Sequence, residues 1–335
     1  MLSDKILAKI THADIELAAN LWGGRTAKPE ALGNVENLVY ACHPGFALRL
    51  VSCDHRSASQ VEAELAWMAY LKNLGLPVVE SLPGINGNHL EPVDIGGHTF
   101  FVSALRWIEG TSFHPQKTPD FWQPERIATL GKTVAKLHKS ALVEPEQVKH
   151  MAAARFDPFA AFEYNMDTFT KNTDLDVAVF RDLEKNLHTR WELEQFDARL
   201  CGLIHGDIHS GNFIAEADGT LRVFDFDDCH RGWWSQDIAL ALYYLSLNLQ
   251  AQEKTLTAEH WHTFKEAYTD VLPLPPGFEE DLPLFMQYRD WKLLGFLFAR
   301  FGQVENFPEN AKKSYERICQ RLISDTLATG DLTLT

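Results

Sequence analysis

Two stretches constrain the fold of this chain more than any other: His205-Gly206-Asp207-Ile208-His209-Ser210-Gly211-Asn212 and Leu221-Arg222-Val223-Phe224-Asp225-Phe226-Asp227-Asp228. Between and within them, Phe213 to Glu216 and Leu221 to Phe224 read as two short strands, joined by the turn Ala217-Asp218-Gly219-Thr220. Antiparallel pairing of those strands is expected to bring Asn212, just before the first, beside Asp225, just after the second. Asp207 stands in a loop behind Gly206 at the same end. An acid, an amide and a second acid are therefore predicted to share one small volume.

That set of groups points to a chemistry. A carboxylate can orient a hydroxyl and take its proton, while an amide oxygen and a second carboxylate are the hard ligands that Mg2+ prefers on nucleotide phosphates. Two other readings of the same residues stay open. His205, Asp207 and His209 alternate along an extended segment and would share a face, as a transition-metal site needs, although Asn212 and Asp225 would then have no role. Asp207 and Asn212 could also do no more than satisfy backbone groups of a structural loop.

Composition narrows the class. With 335 residues the chain can bury a large core and is long enough for two lobes. Hydrophobic residues at 45% and charged residues at 23% are ordinary proportions for a soluble globular protein. No apolar stretch approaches the length of a spanning helix, so no membrane association is expected. The opening Met1-Leu2-Ser3-Asp4-Lys5-Ile6 lacks the basic and apolar regions of a secretion signal, and a cytoplasmic location is expected. Cys42, Cys53, Cys201, Cys229 and Cys319 are scattered and fit reduced thiols. A formal net charge of -15 argues against a nucleic-acid partner, which needs clustered Lys and Arg, and is compatible with a cationic small molecule.

Along the chain, a helical pattern through Ile6, Leu7, Ile10, Ile15, Leu17 and Ala18 ends at Gly23-Gly24. Leu32 to Ala41 and Gly45 to Val51 alternate as two strands around a His43-Pro44-Gly45 turn. Gln60 to Lys72 reads as a helix with Val61, Leu65, Met68 and Leu71 on one arc, and Glu64 falls inside that arc. A carboxylate on an apolar face is costly unless paired, and Arg49 in the preceding strand is the expected partner. Asn73-Leu74-Gly75 and Pro77 end the helix, and Phe100 to Leu105 reads as a buried strand. Beyond it the chain turns helical, with Ile127, Leu130, Val134 and Leu137 on one face and further helices expected between 141 and 200. Phe156, Phe159, Phe162 and Tyr164 cluster near Pro158. Gly232 to Asp237 is expected to open a helix running from Ile238 to Leu249. The aromatic helix Leu282 to Phe301 reads as core, with Tyr288, Arg289 and Trp291 as candidates to line a small-molecule pocket.

The pattern H-G-D-x-H-x-x-N, followed by a strand ending in D-F-D, resembles the aminoglycoside phosphotransferase and choline kinase-like superfamily. That resemblance implies an α+β, two-lobed protein-kinase-like fold, with an N-terminal nucleotide-binding lobe over residues 1–105 and a helical catalytic and substrate lobe over 106–335. It implies Asp207 as the catalytic base and Asn212 and Asp225 as Mg2+ ligands. The segment Gly33 to Tyr40 looks like the G-x-x-N-x-x-Y hairpin that covers nucleotide phosphates, which would place Gly33 and Asn37 there. Arg49 stands where many relatives carry a phosphate-contacting lysine, and its pairing with Glu64 would match the kinase strand-to-helix ion pair. Arg106-Trp107-Ile108-Glu109-Gly110 resembles the hinge whose backbone receives adenine, which makes Leu105 to Trp107 the nucleotide-edge candidates, and Asp237 resembles the buried acid that ties a helix to the catalytic loop. The activity implied is ATP- and Mg2+-dependent transfer of the γ-phosphoryl group to a hydroxyl of a small-molecule acceptor, an amino alcohol, a sugar or an aminoglycoside-like compound. The run Asp225-Phe226-Asp227-Asp228-Cys229 looks most like the branch of homoserine kinase-like and stress-response kinase-like enzymes, so a protein substrate for a Ser/Thr kinase is the alternative. A nucleotide-binding regulator without turnover is a third reading. No peptide-binding activation segment is readable between Asp225 and Asp237.

Overall fold

A computed structural model describes residues 4–28, 31–32, 37–143, 178–324 and 326–330. Gly33 and the aromatic cluster around Pro158 lie outside the described residues. The chain forms two compact units. The first contains the described residues up to Gly110 together with Arg222–Asp227, and the second contains 111–143, the described residues from 178 to 221, and those from Asp228 onward.

The first unit opens with helices α1 (Asp4–Leu7) and α2 (His12–Asn20), the latter begun by a capping box between Thr11 and Asp14. Strands β1 (Arg25–Thr26), β2 (Leu38–His43) and β3 (Phe46–Ser52) lead to α3 (Ala58–Asn73), then to β4 (Ser81–Leu82), β5 (Glu91–Ile95) and β6 (His98–Arg106). All pair antiparallel in the order β1-β2-β3-β6, and β4 and β5 share the far edge of β6. The β2–β3 hairpin turns where the sequence predicts, with Cys42 opposite Phe46 and Gly45 at φ 58°. The period of two sorts the side chains. Leu38, Tyr40, Cys42, Phe46, Leu48, Leu50, Val102 and Ala104 face one way and pack with Ile15, Ala18 and Ala19 of α2. Arg49 and its register partner Ser103 face the other way, where Arg49 meets α3. The edge strand β5 was not apparent in the turn-rich sequence around it; its Pro92 is tolerated because the strand pairs on one side with β6.

In the second unit, α4 (Pro124–Leu142) turns Ile127, Leu130, Val134 and Leu137 into the core, as their spacing predicts. Helix α5 (Ala178–Glu194) leads to β7 (Cys201–Ile204). Strand β8 (Phe213–Ala215) runs into the expected turn, closed by Glu216 N–H donating to Thr220 O at 2.9 Å, after which β9 (Leu221–Val223) leads the chain into the 222–227 segment of the first unit. The chain continues through β10 (His230–Trp233), α6 (Trp234–Gln250), α7 (Ala258–Thr269), α8 (Phe278–Phe301) and α9 (Glu309–Ser324). Gly232 and Trp233, expected at a helix start, instead belong to β10, which pairs antiparallel with β7. The reason is local packing: Gly232 lies opposite Gly202, and the bare Gly202 Cα is covered by the indole of Trp234, where a Cβ would collide.

Candidate active site

The loop after β7 is built by backbone constraints before any chemistry is considered. Gly206 takes φ 79°, and a Cβ there would press on the carbonyl of Asp228 and come within 2.9 Å of His230 Nδ1, so only glycine fits. Asp237, fully buried in the first turn of α6, accepts the N–H groups of His205 and Gly206 through its two oxygens, each at 2.8 Å. This is the tie that the sequence assigns to Asp237. His138 of α4 completes it: Nε2 donates to Asp237 at 3.3 Å, and Nδ1 shares a hydrogen bond of 2.9 Å with the Tyr268 hydroxyl. Burial disfavours the Asp237 charge, but the bonds from His138 and the loop outweigh it and hold the carboxyl below its ordinary value.

Asp207 then emerges half-buried from a fixed loop. Its Oδ1 accepts Arg289 Nη2 at 2.7 Å, and its Oδ2 accepts His209 Nε2 and Asn212 Nδ2, both at 3.1 Å. His209 Nδ1 accepts the Gly211 N–H at 2.9 Å, which places the ring proton on Nε2, toward Asp207. Asn212 Nδ2 also donates to the Asp207 carbonyl at 2.9 Å, and no hydrogen bond to its Oδ1 is present among the described residues. Burial raises the cost of the Asp207 charge, yet Arg289, His209 and Lys292 more than compensate and hold its carboxyl well below the usual carboxylate range. Asp207 and Asn212, predicted to converge, do so. The ligand atoms of His205, Asp207 and His209 do not converge as a metal site would require; among the described residues such a cluster is found at Cys53, Asp54 and His98.

In the first unit, Arg49 and Glu64 form the expected pair. Nη1 donates to Oε1 at 2.6 Å and Nη2 to Oε2 at 2.9 Å, a bidentate contact with both side chains out of solvent. Burial works against the guanidinium charge, but Glu64, with Asp227 and Asp225 behind it, holds Arg49 charged. Arg49 Nε is buried and has no partner among the described residues, and the same is true of Asn37 Oδ1. Asp225 is exposed at φ 62°, a left-handed conformation uncommon outside glycine. Leu105 is buried in β6, whereas Trp107 is exposed and gives its N–H to Gly45 O at 3.0 Å. Arg106 N–H is likewise taken by Glu80 O at 2.8 Å, so an adenine edge along this stretch must use other backbone groups.

Several residues of the site were not legible beforehand. Asp227 is buried, receives His55 Nε2 at 2.6 Å, and is contacted by Arg56 Nε at 3.4 Å. Burial opposes its charge, but His55 and Arg56 lower its pKa decisively. Nothing in the sequence links residues so far apart in the chain. Arg289, read as a pocket candidate, in fact grips Asp207, and its Nε donates to the Tyr244 hydroxyl at 2.9 Å. Tyr288 and Trp291 are buried, as the aromatic character of α8 suggests.

A model of the phosphotransferase enzyme family matches residues 29–274. Amicoumacin kinase of Bacillus subtilis is 25% identical over 307 residues, covering 89% of this chain and 88% of the relative. A solved structure of amicoumacin kinase hAmiN in complex with AMP-PNP, Ca2+ and Ami superposes with a TM-score of 0.79 at 18% identity, over 99% of each chain. A microcompartment-associated aminopropanol kinase gives 0.72 at 20% identity, over 96% of this chain and 99% of its own. These likenesses bear out the α+β, protein-kinase-like fold. Since the family model spans well over half of the sequence, the chain belongs to the phosphotransferase enzyme family.

Proposed function

We propose that this protein transfers the γ-phosphoryl group of ATP to a hydroxyl of a small amino-alcohol-type acceptor, with Asp207 as the catalytic base. The observation that carries the proposal is the Asp207 carboxylate itself, held ionised and oriented by Arg289, His209 and Asn212 in a chain of this family. The residues present suit a bound nucleotide and divalent cation. Asn212 Oδ1 is uncommitted within the described residues, Asn212 and Asp225 are the hard oxygen donors that Mg2+ selects, and the orphaned, buried Arg49 Nε is a donor fit for a phosphate oxygen. When bound, Mg2+ with ATP supplies the transferable phosphoryl group and neutralises charge on it. The chain's own residues do the rest: Arg49 orients phosphate oxygens, its geometry fixed by Glu64, while Asp207 orients the acceptor and receives its proton. The supporting relatives point the same way, since one is named for aminopropanol and another is described with AMP-PNP and Ca2+. The net charge of -15 favours approach of a cationic amine.

The test is Mg2+-dependent ATP consumption by the wild type and Asp207→Asn across amino alcohols, sugars, aminoglycosides and a generic protein acceptor. The expectation is acceptor-stimulated turnover with an amino alcohol, lowered by about 100-fold or more in Asp207→Asn with ATP affinity little changed. Equal turnover in the two proteins, or no ATP binding, refutes the assignment.

A further inference from the structure

Asp207 has more acceptor capacity than the protein uses. An ionised carboxylate offers about four in-plane lone-pair positions, two on each oxygen. On Oδ2 both are filled, by His209 Nε2 and Asn212 Nδ2. Oδ1 accepts Arg289 Nη2 at 2.7 Å and nothing else among the described residues. Arg289 is itself immobilised, because Nε donates to the Tyr244 hydroxyl at 2.9 Å and Nη2 reaches the same oxygen. The guanidinium is buried, so this is not a surface ion pair averaged over rotamers.

We propose that Oδ1 is the atom of Asp207 that takes the acceptor's proton, and that Arg289, locked by Tyr244, is the positioning residue that aims it. The inference rests on the phosphotransfer reading above. As the acceptor oxygen bonds to the γ-phosphorus, the bond from that phosphorus to the β,γ-bridging oxygen breaks. The electron pair leaves with ADP, and the hydroxyl proton passes to the second lone pair of Oδ1. Arg289 keeps the first lone pair throughout, so the carboxyl plane cannot turn and exchange its two oxygens. A planar fork held at two points fixes direction as well as charge, which a lysine ammonium does not. Tyr244 thereby acts on the reaction through Arg289.

The experiment compares wild type, Arg289→Met, Arg289→Lys, Tyr244→Phe and Asp207→Asn, using ATP with the best acceptor from the panel above. Rates are expressed per ATP-binding site, counted by fluorescence titration. Arg289→Met is expected to lower kcat by about 100-fold, with acceptor KM and ATP affinity within about twofold of wild type. Arg289→Lys should recover about tenfold of that loss, and Tyr244→Phe should cost about fivefold in kcat. A merely structural arginine would instead lower the number of ATP-binding sites and leave kcat per site unchanged. Retention of kcat within about threefold in Arg289→Met, or a loss confined to KM, overturns the proposal. Should Arg289→Met fail to fold, wild-type kcat in both Arg289→Lys and Tyr244→Phe overturns it equally. A wild type that no acceptor stimulates removes the phosphotransfer reading and this proposal with it, an outcome distinct from an active wild type indifferent to Arg289.

Discussion

Replacing Glu64 by alanine tests whether the Arg49–Glu64 pair is a buried electrostatic unit. The two side chains are 4% and 0% exposed and share two charge-assisted hydrogen bonds of 2.6 and 2.9 Å. Deleting the carboxylate leaves a guanidinium that can neither lose its proton nor reach water. Breaking a buried pair on one side costs about 3–5 kcal/mol, because the remaining charge keeps its desolvation penalty without compensation. With a urea m-value of about 3 kcal/mol/M, the unfolding midpoint of Glu64→Ala should fall by about 1–1.7 M. The double variant Arg49→Met, Glu64→Leu removes both charges and fills the volume, so its stability should return to within about 1 kcal/mol of wild type. The assay is urea denaturation followed by circular dichroism on all three proteins. Glu64→Ala within about 1 kcal/mol of wild type would refute the reasoning, and so would a double variant as unstable as the single one. Nucleotide affinity separates stability from function, since the double variant lacks the Arg49 Nε proposed to meet phosphate.

Two further substitutions probe the loop after β7. Gly206→Ala forces a side chain into a left-handed backbone against the Asp228 carbonyl and His230, and should cost about 2–3 kcal/mol and lower turnover, checked by thermal melting and ATP consumption. Asp237→Asn replaces two carboxylate acceptors by one carbonyl and an NH2 that opposes a backbone N–H; a loss of about 3 kcal/mol at neutral pH is expected by urea titration. The sign of its pH dependence follows from the depressed Asp237 pKa: the unfolded chain binds the proton first as pH falls. Its stabilisation is complete above about pH 5 and is lost progressively below, through the lower folded value. Stability measured between about pH 3 and 7 should therefore show a shallower acid-side decline in Asp237→Asn than in wild type.

What could be read from the sequence was what local periodicity or spacing encodes. Glu64 was legible because a 3.6-residue period places it on an otherwise apolar arc of α3, where only a partner such as Arg49 makes it tolerable. Asp207 and Asn212 were legible because a loop of fixed length carries both. The β10 strand was not, because its identity depends on a partner strand elsewhere in the sequence and on Trp234 covering Gly202, neither of which leaves a local pattern. The clamp of His55 and Arg56 on Asp227 joins residues 172 and 171 positions apart, beyond any periodicity argument. Arg289 announced only that a cation sits among aromatics, and its target 82 positions away could not be inferred.

One signal for the second unit was present and is physical. In α6, Asp237, Tyr244 and Asn248 stand at i, i+7 and i+11, which a step of about 100° places within about 20° of a common line. Each makes a different hold on the loop or its base: Asp237 takes the His205 and Gly206 N–H groups, Tyr244 anchors Arg289 on Asp207, and Asn248 Nδ2 donates to Ser210 Oγ at 2.7 Å. A rigid helix thus fixes the loop before, at and after Asp207 from one face, so the three contacts cannot shift independently. Polar groups held largely out of solvent on one line of a helix would be costly unless every one were paired. These three pair in or against the loop that carries Asp207, whereas Tyr243 and Ser246 of the same helix donate to Asp290 and to the Ala328 carbonyl. The geometry of Asp207 is consequently set by helix packing through α6 and α8, which explains how a half-buried loop carboxylate can stay ionised and directed.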